Sequence, residues 1–234
     1  IGFVRGNNRI LDRFCAKDMP DFVWLLNPDT QIQPGATQAL LDAFTALPRA
    51  GLVGPRLHNP DGSLQHGAFR FPGLFQPLMD LGMLPLRFYE SRLNGRYSPQ
   101  DYAGQSPFRV DYPLGAAMMA RGVTVKAVGP LDEAFFMYCE EIDWAWRMQK
   151  AGWQTWLVPQ AKITHYGGAS TNQARPQTTA HLWQSRARLY AKHRRGVLRA
   201  LVRTAVRRHF QRALSQKVEP EWRFAFERIL QAWN

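Results

Sequence analysis

Three carboxylates fall within four positions, at Glu140, Glu141 and Asp143, directly after the run Phe135-Phe136-Met137-Tyr138-Cys139. Acids suit a first helical turn, where free N–H groups and the helix dipole favour negative charge. Carboxylates this close raise one another's pKa, and a raised carboxylate can serve as a general base near neutral pH. Asp143 and Arg147 stand four apart, the spacing that holds one acid ionised and fixed on a helix. The same acids could be helix caps and nothing more. Gly152 is the natural end of this helix.

Two further polar positions lie at predicted strand ends. Residues 21–26, Asp-Phe-Val-Trp-Leu-Leu, predict a short strand buried on both faces, of the kind found in parallel or mixed sheets under helices. It stops at Asn27-Pro28-Asp29-Thr30. In open α/β sheets ligands bind beyond the carboxyl ends of strands. Asp29 is therefore placed to hold a cation, unless it only initiates the turn before a helix predicted over 34–47. His165 ends a second predicted strand, ahead of Gly167-Gly168-Ala169-Ser170. A histidine there suits a metal ligand on a flexible loop, or a structural role. At the start of the chain, Gly2, Gly6, Asn7 and Asn8 allow tight turns and offer amide donors to a polar ligand.

The elements that must position these groups follow the same logic. A short helix is predicted over 9–17, a strand over 52–57 and a hairpin turn at 58–63. Residues 72–109 are rich in Pro, Gly, Tyr and Arg, with one possible helix over 78–93, and look like a variable insertion of the kind that shapes a cleft. Residues 110–120 predict a strand whose small members at 115–117 admit a close backbone, a ligand or tight helix packing. Short strands are predicted at 155–158 and 161–164. Residues 178–217 predict helix broken at Gly196, with Leu198, Val202, Val206 and Phe210 on one face and Arg199, Arg203, Arg207, Arg208 and Arg212 on the other.

The 234 residues are 45% apolar, a globular composition large enough for a full core. Cys15 and Cys139 are too few for a disulfide framework and point to free thiols in a reducing compartment. No apolar run approaches a membrane span. The net charge of +12 is uneven: residues 144–218 hold 15 basic and no acidic side chains. That region needs an anionic partner, such as a surface rich in anionic lipid, or a solvated face. Nucleic-acid binding is not expected, because the arginines alternate with apolar residues and no recognised motif is present.

Four motifs stand in one order: Gly2-Phe3-x-x-Gly6-Asn7-Asn8, Leu25-Leu26-Asn27-Pro28-Asp29-Thr30, Phe135-Phe136-Met137-Tyr138-x-Glu140-Glu141-x-Asp143-x-x-x-Arg147, and His165-x-Gly167-Gly168-x-Ser170. Together they resemble the family 2 glycosyltransferases of the GT-A fold, in particular the rhamnosyltransferase-like members that build bacterial surface polysaccharides. The resemblance runs from Ile1 to about Ser170. It implies an α/β fold, GT-A-like and Rossmann-like, with a mixed, mostly parallel sheet flanked by helices. It places a transferase domain at 1–175 and a basic amphipathic helical extension at 176–234. It also implies that the family's first nucleotide-binding strands precede Ile1.

The resemblance further implies that Asp29 and His165 hold a divalent metal, Mg or Mn, on the donor diphosphate. Asn27 stands where the family's metal motif more often has Asp. Glu141 matches the catalytic base, with Glu140 and Asp143 beside it. Gly2, Phe3, Gly6, Asn7, Asn8, Asn27 and Asp29 match donor-binding positions, and Asp132, Glu133, Trp144 and Arg147 acceptor or supporting ones. The implied partners are a dTDP- or UDP-sugar donor and a glycan or lipid-linked acceptor, handled in the cytoplasm or peripherally on the inner face of the membrane. The alternative is a non-catalytic carbohydrate- or nucleotide-sugar-binding remnant of the same fold.

Overall fold

The computed structural model describes residues 2–167 and 175–234. Along the chain the elements run α1 (Phe3–Ala16), β1 (Phe22–Leu26), β2 (Thr30–Ile32), α2 (Ala36–Ala46), β3 (Ala50–His58), β4 (Leu64–Gln65), β5 (Ala68–Phe69), α3 (Phe75–Asp80), α4 (Pro99–Ala103), β6 (Phe108–Val110), β7 (Tyr112–Pro113), β8 (Ala117–Arg121), α5 (Gly122–Val128), α6 (Glu140–Lys150), β9 (Gln154–His165), α7 (Arg175–His193), α8 (Gly196–Leu214) and α9 (Pro220–Ala232). They group into two compact units. One holds residues 1–71, 95–133 and 140–167; the other holds 72–94, 134–139 and the described residues after 167.

The first unit is built on a sheet with the order β1-β8-β3-β9-β2, with β4 added to β3 and β6 to β9. Its mixed α/β character is as expected, but its strands are not mostly parallel. Among the described ladders β3 and β9 pair parallel, and the rest pair antiparallel. An apolar run reports burial, not strand direction, so the sequence carried no signal for this. β1 is an edge strand of this sheet rather than a doubly buried one, and Leu26 is 38% exposed.

The two strands expected at 155–158 and 161–164 are one strand, β9, of 12 residues. Its pairing with β3 steps from Pro55↔Val158 to Arg56↔Lys162, so the residues around Pro159 bulge out of the ladder. A proline has no N–H to give, which interrupts the bonding without ending the strand. The 58–63 turn closes the β3–β4 hairpin as expected.

Helix α2 covers the sheet with Ala36, Leu40, Ala43 and Phe44, which pack on Val53, Met119 and Val158. Burying Leu40 or Phe44 contributes about 1.5–3 kcal/mol each. Helix α6 packs against β3, β7 and β9 and buries Trp144, Ala145 and Met148. It ends as expected at Gly152, whose φ of 87° lets the Trp153 N–H reach back to Met148 O at 3.0 Å.

The second unit is helical. Trp183, Ala187 and Tyr190 of α7, Val202, Val206 and Phe210 of α8, and Ala225 and Ile229 of α9 make its core with Trp233. Trp183 meets Phe210 edge-on at 5.6 Å, and Trp233 Nε1 donates to Trp183 O at 2.9 Å. Arg194 and the Tyr190 hydroxyl tie the 72–73 segment to α7 through the carbonyls of Pro72 and Gly73. The helix predicted over 78–93 is replaced by α3 and two 3-10 turns, because Gly82 takes φ 68° and Pro85 follows. α8 turns its apolar stripe inward, and Arg199, Arg203, Arg208 and Arg212 are exposed.

Candidate active site

Helix α6 starts at Glu140, after two residues held in the left-handed region, Tyr138 at φ 68° and Cys139 at φ 67°. Bulky residues there cost on the order of 1–3 kcal/mol each and persist where surrounding structure enforces them. Glu140 is buried, and its Oε2 has no hydrogen-bond partner. Glu141 is half-buried and lies against Gly115, where a β-carbon would sit 3.6 Å from its Cβ and 3.8 Å from its Cδ. Burial pushes the Glu140 carboxyl up to about 7. Burial, then the neighbouring Glu140 charge, pushes Glu141 up to about 8. Two neighbouring like acids titrate as a pair, and that pair holds a proton above the ordinary carboxylate range.

Asp29 and His165 meet through the β2–β9 ladder, which sets Thr30 opposite His165. The Tyr166 N–H donates to Asp29 O at 2.9 Å and closes the ladder's end. His165 Nε2 lies 3.5 Å from Asp29 Oδ1, and that oxygen is buried with no hydrogen-bond partner. His165 Nδ1 is 2.8 Å from Gln65 Oε1. In the tautomer whose Nδ1–H donates to Gln65, Nε2 presents its lone pair beside the Asp29 carboxylate. An orphaned carboxylate oxygen next to an imidazole nitrogen fits a divalent cation whose remaining ligands come from elsewhere. Among the described residues no group of three or more His, Cys, Asp or Glu could hold a metal.

A short stretch of backbone joins the two clusters. The Asn27 N–H donates to Ala116 O at 2.9 Å, and the Leu114 N–H donates to Gly67 O at 2.8 Å. Gly115, between those two anchors, is the residue that faces Glu141. Asp29 thus lies two residues beyond Asn27, which bonds to the 114–116 segment, and Glu141 of α6 lies against Gly115 of that segment.

The remaining predicted residues do other work. Asp143 is fully buried and holds Arg147 at 2.8 Å. Arg147 also donates to Val128 O at 2.6 Å and Pro130 O at 2.7 Å, while Trp144 Nε1 donates to Gly129 O at 2.9 Å. Helix α6 therefore clamps the 128–130 backbone. Asn8 extends the clamp: its Nδ2 donates to Leu131 O at 2.8 Å, and its Oδ1 accepts from the Leu131 N–H at 3.1 Å. Glu133 pairs with Arg5 at the surface at 3.5 Å, and Asp132 stands between it and Leu131.

The turn expected at 2–8 is instead the first half of α1, which begins at Phe3 rather than near residue 9. Asn7 Nδ2 is bonded to Phe3 O at 2.9 Å, and the Gly6 N–H to Gly2 O at 3.1 Å. The buried Asn8–Leu131 pairing overrides the local turn preference of Gly and Asn. The polar contacts of Gly2, Phe3, Gly6, Asn7 and Asn8 run to α1 and to Leu131, not to Asp29 or His165. Gly168, Ala169 and Ser170 of the last motif lie outside the described residues.

Sequence reasoning missed Gln65, which sits in a two-residue strand with nothing local to mark it. It noted the small residues at 115–117 without identifying Glu141 as what they face.

This arrangement, a mixed sheet under helices with an acid pair at the start of α6 and an Asp–His pair at strand ends, is a GT-A-like fold. The structure of GalNAc-T7 with UDP, GalNAc and Mn2+ superimposes with a TM-score of 0.51 over 71% of this chain and 30% of that one, at 14% identity, a likeness of fold alone. In sequence the chain is a relative of the N-acetylglucosaminyl-diphospho-decaprenol L-rhamnosyltransferase of Mycobacterium tuberculosis, from strains CDC 1551 / Oshkosh and ATCC 25618 / H37Rv. Each is 35% identical over 153 residues, 65% of this chain and 49% of the relative. The resemblance drawn from the four motifs is borne out by these matches. The chain spans about half the length of the curated relatives it matches. No family model matches it.

Proposed function

We propose that this chain carries the transfer chemistry of an inverting glycosyltransferase, moving a sugar such as rhamnose from a nucleotide-sugar donor to a lipid-linked or glycan acceptor. The observation that carries the proposal is the high-pKa Glu140–Glu141 pair facing Gly115, on a segment bonded to Asn27, two residues before the Asp29 that pairs with His165.

An acceptor hydroxyl is a poor nucleophile until its proton is removed. Glu141, ionised, accepts that proton as the oxygen attacks the anomeric carbon; the anomeric C–O bond to the diphosphate breaks on the opposite face, and the configuration inverts. Its own burial, then the Glu140 charge, keeps Glu141 basic enough to hold the proton it receives. Asp29 Oδ1 and His165 Nε2 would hold Mg2+ or Mn2+, which when bound stabilises negative charge on the leaving diphosphate. Asn27 and Asp29, at the end of β1, bind the donor. Among the described residues no helix is long and apolar enough to cross a membrane. Exposed arginines of α8 supply a surface contact with anionic lipid.

The test is transfer by the protein from dTDP-rhamnose to a short-chain polyprenyl-diphospho-N-acetylglucosamine, with the product's anomeric configuration read by NMR. Transfer with inversion, lost with EDTA and restored by Mn2+ or Mg2+, is expected. Retention would overturn the base role of Glu141. Donor binding without transfer would favour a binding remnant of the fold.

A further inference from the structure

The helical unit holds a groove of about 690 Å³ that the chemistry above does not use. It follows one face of α7, where His181, Gln184, Ser185 and Arg188 repeat at helical spacing. The opposite face of α7 is spent in the core through Trp183, Ala187 and Tyr190. α8 contributes Arg199 to the groove, and α9 contributes Arg228. Phe136 lies tilted against His181 with ring centroids 4.8 Å apart, yet it remains 53% exposed.

Two features of this lining point to a ligand. It holds three arginines and no acid. Among the described residues Arg188 and Arg199 make no ion pair, and Arg228 is bonded only to a neutral partner, Gln184 Oε1 at 3.3 Å. Unneutralised guanidinium groups converging on one groove suit an oxyanion with several oxygens, because their planar forks bind phosphate in pairs of hydrogen bonds. Beside these arginines and the polar His181, Gln184 and Ser185, the lining is apolar, four alanines with the Phe136 ring. That floor suits a hydrocarbon rather than a second polar group. Burial and then Arg228 lower the His181 pKa, and an anion bound beside it would oppose that lowering.

We infer that this groove binds a diphosphate ester with an apolar tail, its diphosphate on Arg188, Arg199 and Arg228 and its first carbons along the alanines and Phe136. Its identification as the carrier end of a lipid-linked acceptor rests on the glycosyl-transfer proposal; the binding chemistry does not.

The experiment is calorimetric titration of the whole protein with farnesyl diphosphate, inorganic pyrophosphate and UDP, repeated on an Arg188→Glu/Arg199→Glu variant checked for folding by circular dichroism. Both positions are exposed, so the fold should be kept. Farnesyl diphosphate should bind more tightly than pyrophosphate. The double variant should weaken it about 100-fold, near tenfold for each charged contact. The His181 ring resonances should titrate at higher pH when it is bound.

Unchanged affinity in the folded double variant would overturn the inference. So would UDP binding in the groove as tightly as farnesyl diphosphate, which would assign it to nucleotides. A Glu141→Gln protein separates the two claims, since loss of transfer with farnesyl diphosphate binding intact bears on Glu141 alone. Wild-type transfer without such binding sinks the groove alone.

Discussion

Two side-chain pairs in the first turns of α6, the Asp143–Arg147 ion pair and the Glu140–Glu141 acid pair, have opposite characters. Asp143 is wholly buried but answered: Arg147 sits on it at 2.8 Å and passes its remaining N–H groups to the carbonyls of Val128 and Pro130. Glu140 is buried beside the half-buried Glu141, neither makes an ion pair among the described residues, and one Glu140 oxygen has no hydrogen-bond partner. The first pair fixes a segment. The second keeps a proton-accepting group at a raised pKa and destabilises the fold to do so. A helix that tolerates such a cost in its first turn, and answers the buried Asp143 with Arg147, has separated chemistry from architecture.

Substitutions should break the two pairs in different ways. Glu141→Gln removes the proposed base with little change in shape; transfer should fall about 10²–10⁴-fold while the denaturation midpoint holds or rises. A midpoint that collapses with the rate would make Glu141 architectural. Arg147→Met should do the reverse, leaving Asp143 buried without its cation at a cost of about 3–5 kcal/mol in urea unfolding.

The pH dependence sharpens the contrast. Both glutamates bind protons more tightly folded than unfolded, because burial penalises the charge. Their contribution to stability is fully present below the ordinary glutamate value of 4.5 and is lost as pH rises through about 7 and about 8. Urea midpoints measured from pH 5 to 9 should fall across that window, and the fall should flatten in a Glu140→Gln/Glu141→Gln protein. Activity should run the other way, rising with pH as the pair loses its proton. Glu140→Gln alone should move that rising limb to lower pH, since it removes the like charge beside Glu141; an unmoved limb would mean the pair is not coupled. The smallest effect belongs to the surface. Arg5 and Glu133 are 67% and 51% exposed, so Arg5→Ala should change stability by only about 0–1 kcal/mol.

Much of this was legible along the chain. The α6 acids, the Asp143–Arg147 spacing, the Gly152 stop, the 58–63 hairpin and the helix break at Gly196 are local patterns, and local patterns survive into the fold. The errors share a cause. Gly6, Asn7 and Asn8 looked like a turn because their propensities are those of a turn, yet Leu131, more than a hundred residues away, draws them into a helix. Residues 155–158 and 161–164 looked like two strands, yet β3 carries β9 through both.

The sequence by itself determined which groups could do chemistry and in what order they occur, because side-chain type and short-range spacing are written in it directly. Only the tertiary structure decided that His165 stands 3.5 Å from Asp29 with Gln65 behind it, that Gly115 faces Glu141, and that three arginines from three helices share one groove. Those are products of strand pairing and helix packing between distant segments, and no local propensity encodes which distant partner a residue will meet.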